Sequence, residues 1–353
     1  MASWEGIAKL VYVLILLLAP AHCRPRIKDS FIGWNGATYD PKNVWDTKGP
    51  SRGSNNKWIE QLSWKPRAFL YHNFLSPEEC DHIVHLAAPK MKRSTVVGVQ
   101  NENAIDNIRT SYGTFLRRLQ DDVTTTVEER VANWTQLPLS HQEDMQVLRY
   151  GISQKYGAHQ DVLDEGSKRY ATILMYLNDC PGGGETAFPE GSEWTNPVLG
   201  ERYGPWSECA EGHVAAKPKK GDALLFFSLF PDGTTGDPAS THTGCPILEG
   251  VKWTATKWVH VGPFRPEFLG VEPVGEQDRD PGFCEDFEET CTDWAKAGEC
   301  ERNPEYMIGE GSQDGGACRL ACGTCEPCKN KKDKCYNENR LQAGYLSLED
   351  LEK

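Results

Sequence analysis

The chain has 353 residues, 39% of them hydrophobic and 10% aromatic, enough for one large folded unit plus a small one. A formal net charge of −13 excludes nucleic acid as a partner, because phosphates would be repelled, and favours a neutral or basic substrate. Residues 1–23 read as a targeting segment: Lys9 precedes the apolar run "LVYVLILLLA", and Ala21 and Cys23 stand at plausible −3 and −1 positions of a cleavage site. The run is short for a membrane span, which favours cleavage; an uncleaved signal anchor, with the basic "RPRIK" outside the bilayer, is the alternative. Either way the rest is expected in the secretory pathway, in the lumen of the endoplasmic reticulum. Thirteen cysteines agree: losing Cys23 leaves an even number, which an oxidising compartment would pair. Asn133-Trp134-Thr135 is the one glycosylation sequon, with Asn133 as acceptor.

Residues 24–65 show little periodicity and read as a linker into a domain spanning 66–264. "SPEECDHIVHLAAPKM" predicts a helix: Ser76 can cap, Pro77 suits the first position, and Glu78 and Glu79 suit the positive end of the dipole. His82 and His85 lie on it without a visible third ligand and read as helix-surface histidines. A second helix is expected over "RRLQDDVTTTVEERVANWT". From residue 145 the pattern changes to short apolar or alternating runs, "MQVLRY", "YATILMYLN", "GDALLFFSL" and "VKWTATKWVHV", separated by Gly- and Pro-rich connections. Helices first and strands afterwards predict an α+β fold with helices on an all-β core. A linker (265–282) follows, then six cysteines in residues 283–325, the mark of a small disulfide-stapled module. Residues 326–353 read as a charged tail, in which Cys328 and Cys335 could close a short loop.

The chemistry concentrates in "YGAHQD". On an extended strand, residues two apart share a face, so His159 and Asp161 present a nitrogen and an oxygen to one point. His242, following the apolar strand "DALLFFSL", is the third ligand candidate. Two imidazoles and a carboxylate leave three open positions on an octahedral iron, as an oxygenase needs for a cosubstrate and dioxygen. In "VKWTATKWVHV", Lys252, Thr254, Thr256, Trp258 and His260 share one face by period two, and Trp253, Ala255, Lys257, Val259 and Val261 the other. Lys252 can therefore enter the same cavity and supply a fixed positive charge for the distal carboxylate of a dicarboxylate.

These residues resemble the iron and 2-oxoglutarate dioxygenases, specifically prolyl 4-hydroxylases of the plant and algal type. The resemblance runs in order through "FLSPEECDHIVHLA", "IRTSYGTFL", "VLRYGISQKYGAHQD", "LMYLND", "GGGETAFPE", "KPKKGDALLFFSL" and "CPILEGVKWTATKWVHV" and covers roughly residues 66–264. It implies a double-stranded β-helix (jelly-roll) core. It implies Fe(II) on His159, Asp161 and His242, 2-oxoglutarate on Lys252 with Tyr150 and Thr186, and L-ascorbate in support. It also implies peptide contacts by Arg109, Ser111, Tyr156, Arg169, Trp258 and His260, and pairing of Cys209 with Cys245. Cys80 could then pair with Cys180. The implied reaction couples decarboxylation of 2-oxoglutarate to succinate and CO2 with hydroxylation at C4 of proline in a proline-rich or collagen-like chain, consuming O2. A peptidyl-lysyl hydroxylase, or a noncatalytic binder of extracellular proline-rich chains, are the rival readings. The segment after Asp161, "VLDEGSKRY", is shorter than the family pattern and lacks its usual aromatic.

The 283–325 segment resembles the ShKT module, which implies Cys284–Cys325, Cys291–Cys318 and Cys300–Cys322. A zinc site in "CRLACGTCEPC" is the weaker alternative in a secretory context.

Overall fold

Short runs rich in β-branched and aromatic residues, broken by Gly and Pro, pair here as antiparallel ladders. The computed structural model describes residues 57–94, 96–97, 103–104, 110–163, 166–191, 193–271, 280–309 and 316–351. The targeting segment, residues 24–56 and Arg109 lie outside them. In chain order the strands are Trp58–Trp64 (β1), Arg67–His72 (β2), Lys92–Arg93 (β3), Val96–Val97 (β4), Asn103–Ala104 (β5), Tyr112–Leu116 (β6), Met145–Tyr150 (β7) and Tyr156–His159 (β8). They continue with Arg169–Tyr176 (β9), Gly182–Gly183 (β10), Thr186–Phe188 (β11), Val214–Ala216 (β12), Ala223–Phe227 (β13), His242–Gly244 (β14), Ile247–Glu249 (β15) and Lys252–His260 (β16).

An eight-stranded sheet in the order β1-β2-β13-β9-β16-β7-β6-β3 faces a four-stranded sheet in the order β12-β11-β14-β8. This is the jelly-roll core of an α+β fold. The outer face of the large sheet carries the main apolar core, with Val147, Ile173, Leu225, Trp253 and Val259 packed on two helices. Those helices are Pro77–Ala87 (α1) and Asp122–Thr135 (α2). A capping box between Ser76 and Glu79 starts α1, and the same Glu79 carboxylate takes both guanidinium nitrogens of Arg130 on α2, at 2.9 and 2.7 Å. The helices are thereby clasped to each other above the sheet. On the inner face Leu62, Leu70, Leu224 and Phe226 pack on Phe188, Val214 and Ala216 of the small sheet, and the pocket opens beside this second cluster.

Three expectations change. Trp58–Trp64 is not linker but an edge strand paired with β2, with Ile59 and Leu62 buried. A register shift between Gln61 and Ser63 breaks its alternation, which hid it from a period-two reading. The second helix begins at Asp122, not at Arg117: Asp121 caps it through Thr124, and Arg118 is drawn inward to donate to the carbonyls of Gln142, Phe264 and Arg265. The charged tail is folded, with a helix Lys334–Gln342 and Leu346 buried in the main core.

Disulfides join Cys209 to Cys245, Cys284 to Cys325, Cys291 to Cys318, Cys300 to Cys322 and Cys328 to Cys335. Cys80 and Cys180 do not pair. Cys80 is buried on α1 beneath the Tyr176 carbonyl, and burial pushes its thiol up to about 12. Cys180 is half-buried elsewhere, against the carbonyls of Gly182 and Glu249. Asn133 is exposed near the end of α2. Among the described residues no helix is long and apolar enough to cross a membrane.

Candidate metal centre

Register does most of the work at the centre. Strands β8 and β14 pair antiparallel with His159 directly opposite His242, so both imidazoles leave the same face of the small sheet. Their ring centroids are 4.2 Å apart. Asp161 follows His159 by two residues and returns to that face. His159 Nε2 lies 3.6 Å from Asp161 Oδ1, and His242 Nε2 lies 3.8 Å from Asp161 Oδ2. All three ligand atoms fall within 4.8 Å of one another, the only such histidine, cysteine and carboxylate group among the described residues.

The surroundings aim these atoms. His159 Nδ1 is 2.8 Å from the Gly157 carbonyl and His242 Nδ1 is 3.0 Å from the Ser240 carbonyl. Each contact places a proton on Nδ1 and leaves the Nε2 lone pair facing the centre. Thr172 Oγ1, from β9 of the large sheet, donates to Asp161 Oδ2 at 2.6 Å and fixes the carboxylate. Burial would raise the Asp161 carboxyl, but the imidazoles of His242 and His159 outweigh it and hold it well below the usual carboxylate range. Desolvation lowers His242 to about 4 despite the nearby Asp161. At neutral pH the trio thus offers a carboxylate and an uncharged His242 imidazole, the states that ligate a metal. Donor types, spacing and outer hydrogen bonds all fit a first-row divalent ion held on one face.

The trio sits in a pocket between the sheets. From the large sheet come Gln146, Leu148 and Tyr150 on β7, Thr172 and Leu174 on β9, Phe226 on β13, and Lys252, Thr254, Thr256 and Trp258 on β16. Tyr156, Thr186 and Gly244 line the opposite wall. Lys252 pairs across the ladder with Tyr150, and its Nζ lies over the rings of Tyr150 and Tyr176, at 5.8 and 5.6 Å. It is 3% exposed and has no carboxylate or other hydrogen-bonding partner among the described residues. Desolvation lowers its ammonium to about 8, against weaker upward pulls from Cys180 and Glu185. An ammonium buried without a counter-ion calls for an anionic ligand. Thr186 supplies a hydroxyl nearby and accepts from Tyr176 at 3.0 Å.

Tyr150, Thr186, Tyr156 and Trp258 all reach the pocket. Tyr156 stacks on His159 with ring centroids 3.7 Å apart. Arg169 lies 3.8 Å over the Trp258 ring and pairs with Glu143. His260 corrects its expected place: it does not line the pocket. A register shift after Val259 sets it behind Arg169, its Nε2 2.7 Å from Glu143 and its Nδ1 2.7 Å from the Ser167 carbonyl. Ser111 is fully buried and donates to Ser94 rather than facing the pocket. Sequence reasoning missed Thr172, Tyr176 and Glu143. The first two could have been found as the polar side chains on alternate positions of the otherwise apolar "TILMY", whereas nothing in "HQEDM" marks Glu143.

The model of the 2OG-Fe(II) oxygenase superfamily matches residues 145–260, the segment that supplies every pocket-lining residue. The chain is 45% identical over 278 residues to probable prolyl 4-hydroxylase 4 of Arabidopsis thaliana, covering 77% of this chain and 89% of that one. It is 43% identical over 283 residues to prolyl 4-hydroxylase 2 of the same plant, covering 78% and 91%. Among solved structures, the viral collagen prolyl hydroxylase of Paramecium bursaria Chlorella virus-1, in its 2OG complex, overlaps with a TM-score of 0.40 and 24% identity. That overlap covers 55% of this chain and 96% of the other.

Proposed function

This chain belongs to the prolyl 4-hydroxylases of the 2-oxoglutarate- and Fe(II)-dependent oxygenases, and on that premise we propose a role for each side chain of the pocket. His159, Asp161 and His242 would hold Fe(II), each oriented by the hydrogen bond it makes away from the metal. When bound, Fe(II) with 2-oxoglutarate and O2 supplies the oxidising power that hydroxylates proline and releases succinate and CO2; L-ascorbate supports turnover. Lys252 takes the distal carboxylate of 2-oxoglutarate, with Tyr150, Thr186 and Tyr176 around it. The single observation that carries this reading is a metal-ligand trio and a buried, uncompensated ammonium in one pocket.

Tyr156 and Trp258 offer aromatic faces to a proline ring, and proline-rich chains arrive already extended, so little ordering entropy opposes binding. Arg169, braced by Glu143 and through it by His260, holds Trp258 in place. The net charge of −13 suits a neutral or basic proline-rich or collagen-like substrate. We assign the reaction to C4 of proline, the compartment to the endoplasmic reticulum, and residues 1–23 to a cleaved signal or an anchor. Arg109 is assigned to the peptide side, Asn133 to glycosylation, and the cysteine-rich module to the ShKT type.

Incubation of the protein with Fe(II), 2-oxoglutarate and a proline-rich peptide, followed by mass spectrometry, tests the assignment. One added oxygen on proline is expected, and none with His159→Ala or His242→Ala. Oxygen on lysine would favour the lysyl reading, and tight peptide binding with no product would favour a noncatalytic binder.

A further inference from the structure

We infer that the C-terminal tail is a positioning element for the peptide side of the pocket, and the bracket that fastens the cysteine-rich module to the catalytic domain. The inference rests on the proline-hydroxylase reading, because peptide turnover is its readout.

The large sheet ends at β3, and the tail extends it. Leu346 N donates to Met91 O at 2.8 Å and Arg93 N donates to Gly344 O at 3.0 Å, with Lys92 and Tyr345 bridged antiparallel between them. The added segment covers an otherwise open sheet edge. Gly344 turns the chain into it at φ +77°, where a side chain would be strained. Arg340, 1% exposed, reaches back to Pro89 O at 3.0 Å and to Leu346 O at 3.3 Å. A guanidinium so buried is tolerated because carbonyls satisfy it. Farther on, Asp350 O accepts from Arg149 on the outer side of β7 at 2.6 Å.

From this edge a continuous set of contacts leads to the pocket. Ser94, next to β3, donates its N–H to Ser111 O at 2.8 Å and accepts the Ser111 hydroxyl at 2.9 Å. Thr110 N donates to Lys155 O at 3.2 Å, and Lys155 N returns to Thr110 Oγ1 at 3.1 Å. The next residue, Tyr156, lines the pocket and stacks on His159. Loosening the tail therefore loosens the wall that faces the peptide, while Lys252 stays held by the centre of the sheet.

The same tail grips the module. Asn339 Nδ2 donates to Gly282 O and Glu326 O, at 3.0 and 2.7 Å. Arg319 donates to Pro281 O and Asn339 O, both at 2.9 Å. The Tyr336 ring packs on Phe283, and its hydroxyl donates to Asp280.

The test uses the full chain with a protease site placed within residues 272–279. After cleavage the 280–353 fragment should stay bound in gel filtration, with both KM values unchanged. Arg340→Ala should release it and raise the peptide KM about 3- to 30-fold, the range spanned by typical through-structure couplings. The 2-oxoglutarate KM and peptide-independent decarboxylation should hold within about twofold by the same scale. Leu346→Ala gives the same split more mildly if Arg340→Ala does not fold. A Lys92→Cys/Tyr345→Cys pair, once oxidised, should restore the peptide KM. Fragments that separate with the peptide KM intact, or variants that raise both KM values together, would overturn the inference. Absence of succinate release from the intact wild type would instead sink the hydroxylase reading and leave the co-elution result standing.

Discussion

Strand β16 carries two lysines five residues apart, and the two faces of the large sheet treat them differently. Lys257, on the helix side, is fully buried and bonded to Glu128 of α2 at 2.8 Å and to the Glu143 carbonyl. Lys252, on the pocket side, is almost as buried, yet it lies against aromatic rings and a half-buried thiol and feels Glu185 only as a weak pull, with no ion pair. A charge inside a protein is costly unless paired. On one face the fold supplies the counter-ion. On the other it leaves that place to the cosubstrate, so part of the binding energy is stored as an unpaired charge in the free enzyme.

The contrast predicts stability changes of opposite sign. Lys257→Met or Glu128→Gln leaves its partner charged and buried, and should lower folding stability by about 3–5 kcal/mol. Lys252→Met removes a charge that has no partner, and should leave the melting temperature of the ligand-free protein equal or higher. A comparable loss in both variants would erase the distinction.

Function should separate them next. Lys252→Ala should raise the 2-oxoglutarate KM about 30-fold or more, the scale for truncating one side of a buried charge pair. Conservative replacements at Lys257 that still fold should not change it. On the metal side, Thr172→Val frees the Asp161 carboxylate and should weaken Fe(II) binding by about 10- to 100-fold in a metal titration, the usual cost of losing an outer hydrogen bond to a ligand.

The smallest effect is a pH profile. Desolvation lowers Lys252 to about 8 in the free enzyme, so kcat/KM for 2-oxoglutarate should fall about tenfold per unit above that pH, as the charged form is lost. The sign for folding is the reverse. Between about 8 and the ordinary lysine pKa, the unfolded chain binds the proton that the folded chain has released, so Lys252 itself makes the ligand-free protein more stable as pH rises.

Much of this was legible before any coordinates. Period two alone put Lys252, Thr254, Thr256 and Trp258 on one face and Trp253, Ala255, Lys257 and Val259 on the other, because β16 runs straight through the sheet centre. The same rule failed where the backbone leaves regular register: at His260, after a shift, and at β1, where a shift hides a strand in a polar stretch. It also could not pair residues far apart in sequence. Glu128 with Lys257 and Glu143 with Arg169 are tertiary matches with no local signature. The tail looked like solvated chain because its charges dominate, yet Arg340 is buried and satisfied by backbone carbonyls that composition does not reveal.

Equilibrium binding of 2-oxoglutarate against 2-oxopentanoate, which lacks the distal carboxylate, tests the assignment of Lys252 most directly. Wild-type protein loaded with Fe(II) without oxygen should prefer the dicarboxylate by about 30-fold or more, the scale of a buried charge pair, and Lys252→Ala should lose that preference. Equal discrimination in both proteins would mean that the ammonium does not meet the carboxylate.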